Sequence, residues 1–430
     1  MADSLFRTAS LLTVFLLFTA TLFVGCDKPA EYENMSDADL DALAEEIHEE
    51  VITVDTHIDI PTTYATDEVD PGVRGDYQVD LPKMEEGKLD VGFFIVYVGQ
   101  TERTEENYAI AKEMAMTKFN AIHRMTTDMY PEQIGLAHSV DEAIEIHNSG
   151  RKVAMIGIEN GYVIGKDLSL LEKYYDLGAR YITLAHGGHN DISDSSTPRD
   201  YLGDGGEEHG GISEFGKEVI KEMNRLGIMV DVSHISKNAM IQAAGLSSAP
   251  VVASHSSASA ICDHARNMDD EMLIALKENN GVVQTVALGA YVKCVPQEKS
   301  DALDSLRQEF GLTSREAFAA MSDDDRMSYD EKRAALDEQW PPATVSDFVD
   351  HIDYMVNLIG IDHVGIASDF DGGGGITGWE DASETLNVTR ELVARGYSKE
   401  DIGKIWGQNL FRVLKANEDV ARQMQSDATH

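Results

Sequence analysis

Basic side chains are scarce in this chain of 430 residues: 35 lysines and arginines stand against 76 acidic residues, for a net charge of −41. A field of that sign repels nucleic acid and anionic lipid, which excludes both as binding partners, and it means a heavily solvated surface. Cysteine is nearly absent, with only Cys26, Cys262 and Cys294, so no cysteine-rich metal cluster or disulfide scaffold is available. Repeats and low-complexity tracts are missing. The one glycine run, Gly372–Gly375, has no Gly-Lys-Ser/Thr after it and reads as a flexible loop, not a phosphate cradle. The only long apolar run, Ala9–Val24, is short for a membrane span.

That run follows Arg7 and ends at Phe23-Val-Gly-Cys26, the pattern of a cleaved signal whose new N-terminal cysteine takes a lipid. Asp3 and the phenylalanine at the usual leucine position depart from it. The expectation is a signal peptide over 1–25, lipid on Cys26, a polar tether over 26–46, a catalytic barrel over 47–418 and a tail over 419–430. Such a protein would be exported and held at a bacterial membrane by its N-terminal lipid alone. In an oxidising compartment Cys262 and Cys294 form either a disulfide or two separate buried thiols.

Apolar, β-branched runs recur along the chain at Val51–Val54, Val91–Val98, Val153–Ile158, Tyr181–Leu184, Ile228–Val232, Val251–Ala253, Gly281–Val286 and His363–Ala367. Amphipathic helical patterns lie between them, as at Glu106–Met125, Leu168–Leu177, Glu214–Leu226 and Asp270–Asn279. Eight strands alternating with helices predict an α/β protein of the (β/α)8 TIM-barrel class, with a doubly wound open sheet as the alternative. The interval 295–343 is oversized and helix-prone (Ser300–Phe310, Ser314–Met321, Tyr329–Trp340) and reads as a helical insertion between strands seven and eight. Ala382–Arg395 and Ser398–Lys415 read as closing helices.

Chemistry gathers where these strands end. Strand one leads to His57-Ile-Asp59, three to Glu159-Asn-Gly, four to Ala185-His186, five to Ser233-His234, six to Ser254-His255 and eight to Ser368-Asp369-Phe-Asp371. One such histidine is ordinarily structural. In a parallel barrel, however, all strand tips face one mouth, so these groups converge. Ligand count suggests two divalent metals: His57 and Asp59 on the first, His234 and His255 on the second, and Glu159 bridging. A shared hydroxide would attack an amide or ester, with Asp369 carrying its proton and His186 steadying the carbonyl oxygen.

The motifs Val54-Asp-Thr-His-Ile-Asp59, Gly157-Ile-Glu-Asn-Gly161, Leu184-Ala-His186, Val230-Asp-Val-Ser-His234, Ser254-His-Ser256, His264-Ala-Arg-Asn267, Ser368-Asp-Phe-Asp-Gly372 and Gly407-Gln-Asn-Leu-Phe-Arg412 resemble, in order and spacing, those of the membrane (renal) dipeptidase family. The resemblance spans Ile47 to Lys415. It implies a dizinc amidohydrolase-type barrel that cleaves dipeptides, with His57, Asp59, Glu159, His234 and His255 as zinc ligands. It also implies His186, Arg266 and Asp369 on the substrate and a disulfide between Cys262 and Cys294; a homodimer is a separate expectation. Arg266 would measure the substrate by its C-terminal carboxylate; pairing with Asp269 or Asp270 is the plainer role.

Departures fall around the pocket. Ala265 stands where the family usually has proline, Leu-Ala-His186 runs into Gly-Gly-His189, and the loop Gly203–Gly211 carries His209. His189, His209 and His264 are candidate supports near the rim, Tyr291 a candidate pocket wall, and His351 and His363 structural. Lactam or N-acyl amino acid hydrolysis on the same metals is the first alternative activity, and a peptide-binding lipoprotein without turnover the second.

Overall fold

The computed structural model describes residue 32 and residues 35–312, 317–318 and 321–427. The signal segment, Cys26 and part of the helix expected over Ser314–Met321 lie outside the described residues. Among the described residues nine strands form one parallel sheet: β1 Val54–Asp59, β2 Val91–Tyr97, β3 Ile134–Leu136, β4 Lys152–Glu159, β5 Ala179–Thr183, β6 Met229–Asp231, β7 Val252–Ala253, β8 Val282–Val286 and β9 Val364–Ala367. Eight of them run in the order β1-β2-β4-β5-β6-β7-β8-β9. Ile58 bridges to Phe370 in parallel, and the Asp59 amide donates to the Phe370 carbonyl at 2.9 Å, so the first strand meets the last. That closure selects the (β/α)8 barrel over the open sheet.

The ninth strand is the one that periodicity misses. β3 pairs with Lys152–Ala154 of β4, below the point where β5 joins at Ile156. The first strand is also displaced from its apolar run. The Val51 amide closes the preceding helix onto Ile47, so the strand starts at Val54 and includes His57 and Asp59 rather than ending before them.

Alternation sorts the strand residues into two clusters. Val91, Phe93 and Ile95 of β2 and Val153 and Met155 of β4 belong to the barrel interior, while Phe94, Val96, Ala154 and Ile156 pack with the surrounding helices. Continuing the inward parity brings Tyr97 and Glu159 to the mouth. Leu410, Phe411, Val413 and Leu414 of the helix Asn409–Asp427 join the interior cluster.

Both expected chain-end segments are more ordered than their composition suggests. A helix starts at Asp37 inside the expected tether, with Ser36 and Asp39 forming a reciprocal cap, and buries Ala44, Ile47 and His48. The C-terminal helix continues to Asp427 through most of the expected tail and buries Ala421. Between β8 and β9, Gln297–Glu309 and Asp323–Gln339 form the helices of the insertion, joined by a Lys299–Asp337 ion pair at 2.9 Å. Cys262 and Cys294 are disulfide-bonded, with Cα atoms 5.1 Å apart, tying the loop after β7 to the start of that insertion. No helix among the described residues is long and apolar enough to cross a membrane.

Candidate metal centre

Side chains on or just after β1, β4, β5, β6, β7 and β9 meet at the barrel mouth. Glu159, last residue of β4, is the hub. Its Oε1 lies 2.9 Å from His234 Nε2, 3.4 Å from His255 Nε2 and 3.6 Å from His186 Nε2; its Oε2 lies 3.7 Å from His57 Nε2. His57 Nε2 is in turn 3.5 Å from Asp59 and 3.8 Å from Asp369. Three groups of side chains could each hold a metal ion: His57, Asp59 and Glu159; Glu159, His234 and His255; and His57, His255 and Asp369, the first two sharing Glu159.

Whether these residues suit cations is decided by which nitrogen of each ring is free. The Tyr181 hydroxyl donates to the Thr56 carbonyl at 2.9 Å, so it accepts from His57 Nδ1 at 3.1 Å. The Ser254 hydroxyl donates to Asp231 at 2.7 Å, so it accepts from His255 Nδ1 at 2.8 Å. That leaves Nε2 of both rings as the atom turned toward Glu159 and open to a cation. His57 Nε2 is buried without a hydrogen-bond partner. Nε2 of His234 and of His255 approach to 2.7 Å beside the carboxylate. Buried lone pairs turned on common points, with carboxylates among them, fit divalent metals of the zinc type.

The backbone is strained where these groups turn inward. His234 and Asp369 hold φ of 69° and 59°, left-handed values uncommon outside glycine. Gly372 follows because a Cβ there would lie 2.3 Å from Asp59 Oδ2 and 2.5 Å from Asp369 Oδ1.

The charges are strongly coupled. Burial penalises the Glu159 carboxylate, yet His186 and His57 hold its pKa well below the ordinary range. Burial likewise opposes the His57 imidazolium, and the Glu159 and Asp59 carboxylates outweigh it, raising that pKa. His234 and His255 are pushed well down, first by burial and then by Arg266 and His57 respectively. Burial lowers His186 despite Glu159, favouring its neutral form. Asp369 is pushed up to about 8 by burial and by Asp59 and Glu159, against the pull of His57.

Arg266 lies beside the mouth without lining its cavity, its guanidinium 5.6 Å from the centre of the Tyr291 ring. It is buried, its Nη2 donates to the His255 carbonyl at 3.1 Å, and its Nε has no partner. It pairs with neither candidate carboxylate, for Asp269 pairs with Lys237 at 2.6 Å and Asp270 accepts from the Tyr354 hydroxyl. His264 stacks on Tyr291 at 4.4 Å and accepts the Arg266 amide at 3.2 Å, so it helps seat the arginine. His189 and His209 instead brace the glycine-rich loop, on the carbonyls of Gly206 and Asn190. His351 bonds to the Val292 carbonyl and accepts the Ala258 amide, and His363 bonds to the Gly281 carbonyl.

A cavity of about 430 Å³ opens over the cluster, walled by Asp59, Glu159, His186, His234, His255 and Asp369. Tyr291 lines it, as do Tyr97, Lys118 and Asp371, to which sequence reading gave no role. The inward parity of β2 would have found Tyr97. Lys118 lies on a helix and carries no local signal.

A family model for the membrane dipeptidases (peptidase family M19) matches residues 41–428. Dipeptidase aclJ of Aspergillus oryzae is 34% identical over 353 residues, covering 81% of this chain and 72% of its own length. Dipeptidase tcpJ of Claviceps purpurea is 32% identical over 348 residues, covering 80% and 70%. Among solved structures, the probable dipeptidase PvdM from Pseudomonas aeruginosa superposes with a TM-score of 0.79 at 33% identity, covering 89% of this chain and all of its own. With a family match that runs almost end to end, the chain belongs to the membrane dipeptidase family.

Proposed function

We propose that the chain is a zinc-dependent dipeptidase with two ions held by His57, Asp59, Glu159, His234 and His255, Glu159 serving both. The observation that carries this reading is the pair of ligand triads sharing Glu159. Zinc bound there would polarise the scissile carbonyl and activate water for attack at neutral pH. The residues around it do the rest. Asp369, buried beside His57, takes a proton from the attacking water and delivers it to the leaving amine. His186, kept neutral by burial, donates an N–H to the carbonyl oxygen as charge develops on it. Arg266 receives the C-terminal carboxylate and so limits the substrate to one residue beyond the scissile bond.

We place the protein outside the cytoplasm, lipid-anchored through Cys26 to a bacterial membrane. The apolar run ending at Cys26 and the Cys262–Cys294 bond support that location.

Turnover assays with Ala-Ala, N-acetyl-Ala-Ala and Ala-Ala-Ala test the activity. Hydrolysis of Ala-Ala with little or none of the other two is expected. Preference for the acylated substrate would move the reading to N-acyl amino acid hydrolysis, and binding without turnover would make the chain a peptide-binding protein.

A further inference from the structure

The cavity contains a charge that the chemistry above does not use. Lys118, on the helix Glu105–Arg124, is only 6% exposed and yet reaches the cavity wall. Its ammonium stands 5.6 Å from the centre of the Tyr97 ring. No carboxylate oxygen of the described residues lies within 4.0 Å of it. Lysine is almost never sunk this far without a partner, and one aromatic face offsets only part of the desolvation.

Its place across the mouth gives that charge a direction. Tyr97 ends β2, and Arg266 is anchored on the His255 carbonyl just after β7. In the ring order β1-β2-β4-β5-β6-β7-β8-β9, β2 and β7 face each other across the barrel. A dipeptide whose C-terminal carboxylate meets Arg266 and whose scissile bond lies over Glu159 extends its first residue toward Lys118. Burial lowers the Lys118 pKa, opposed by the Asp59 and Glu159 carboxylates. In its charged form the lysine repels the free ammonium, and an apolar side chain leaves it buried without a direct partner. A side-chain carboxylate satisfies it. The substrate ammonium has another partner, for Asp371 lines the same cavity.

Resting on the dipeptidase reading, we propose that Lys118 selects the first residue of the substrate, and that the preferred dipeptides begin with aspartate or glutamate. Each such residue would place its side-chain carboxylate on the Lys118 ammonium while its peptide bond lies at the metal centre.

The test compares kcat/KM for Glu-Ala, Gln-Ala and Ala-Ala in the metal-loaded wild type and in Lys118→Met. Glutamine matches glutamate in shape, so the Glu-Ala to Gln-Ala ratio isolates the charge. A ratio of roughly ten or more is expected in the wild type, falling to about one in the variant. Lys118→Gln, which keeps a polar end, replaces the methionine variant if that one does not fold. Equal rates on Glu-Ala and Gln-Ala in the wild type overturn the proposal, as does a preference that survives loss of the lysine. Turnover of Ala-Ala without that discrimination leaves the dipeptidase reading standing, whereas no turnover of any of the three removes both.

Discussion

The Tyr181 hydroxyl sits 3.1 Å from His57 Nδ1, and its own hydrogen is committed to the Thr56 carbonyl. His57 must therefore donate, which frees Nε2 for a cation. The tyrosine has room because residue 157 is glycine: a Cβ there would lie 2.2 Å from the ring. Tyr181→Phe leaves the ring in place and removes the acceptor. Metal affinity should fall roughly 10–100-fold, measured by competition with a chromogenic chelator. Unchanged affinity would mean that the ring orientation of His57 is set elsewhere.

Arg266→Ala should act on binding more than on the chemical step. The Arg266 guanidinium lies 5.6 Å from the ring of Tyr291, which lines the cavity, so a substrate carboxylate there would feel its charge. Steady-state kinetics on Ala-Ala should show KM rising by roughly ten- to a hundredfold, with a smaller change in kcat. A variant with wild-type KM would place the carboxylate contact on another residue.

The disulfide joins residues 32 positions apart and fastens the insertion to the loop that carries Arg266. Cys262→Ser should cost about 2–4 kcal/mol in unfolding free energy, read by denaturant titration. Equal midpoints for wild type and variant would show that the bond contributes nothing to stability.

Acid should loosen the N-terminal helix through His48. The His48 ring spans two elements: Nε2 donates to the Gly87 carbonyl at 2.9 Å, and Nδ1 accepts from the Thr389 hydroxyl at 2.7 Å. Burial holds its pKa below the ordinary 6.5 in spite of the Gly87 bond. The fold thus favours the neutral ring, and the contribution is complete above about pH 6.5. It is lost as pH falls toward the folded value, because the unfolded chain takes up the proton first. The slope reaches at most about 1.4 kcal/mol per pH unit. Melting temperatures at pH 7.5 and 5.5 should therefore differ more in the wild type than in His48→Gln. Equal differences would remove His48 from the acid response.

Legibility followed how local each signal was. The helix Glu214–Leu226 has its bounds written in sequence, since Ser213 caps its first turn and Gly227 leaves it with φ of 87°. The strand tips were equally plain, because each carries its polar residue directly after an apolar run. β3 was not, since three residues are too few for a period. The helix at Asp37 was hidden by acidic composition, although Ala44 and Ile47 make a buried stripe. Hardest to read were the relays through Tyr181 and Asp231 and the reach of Lys118. Those depend on which strands and helices become neighbours, and only the closed barrel decides that.

Elemental analysis of the purified protein, paired with activity during stepwise chelation and zinc return, tests the central claim most directly. Two metal ions per chain are expected, with dipeptide hydrolysis lost on their removal and restored on their return. A chain that carries no metal and remains fully active after exhaustive chelation would contradict it.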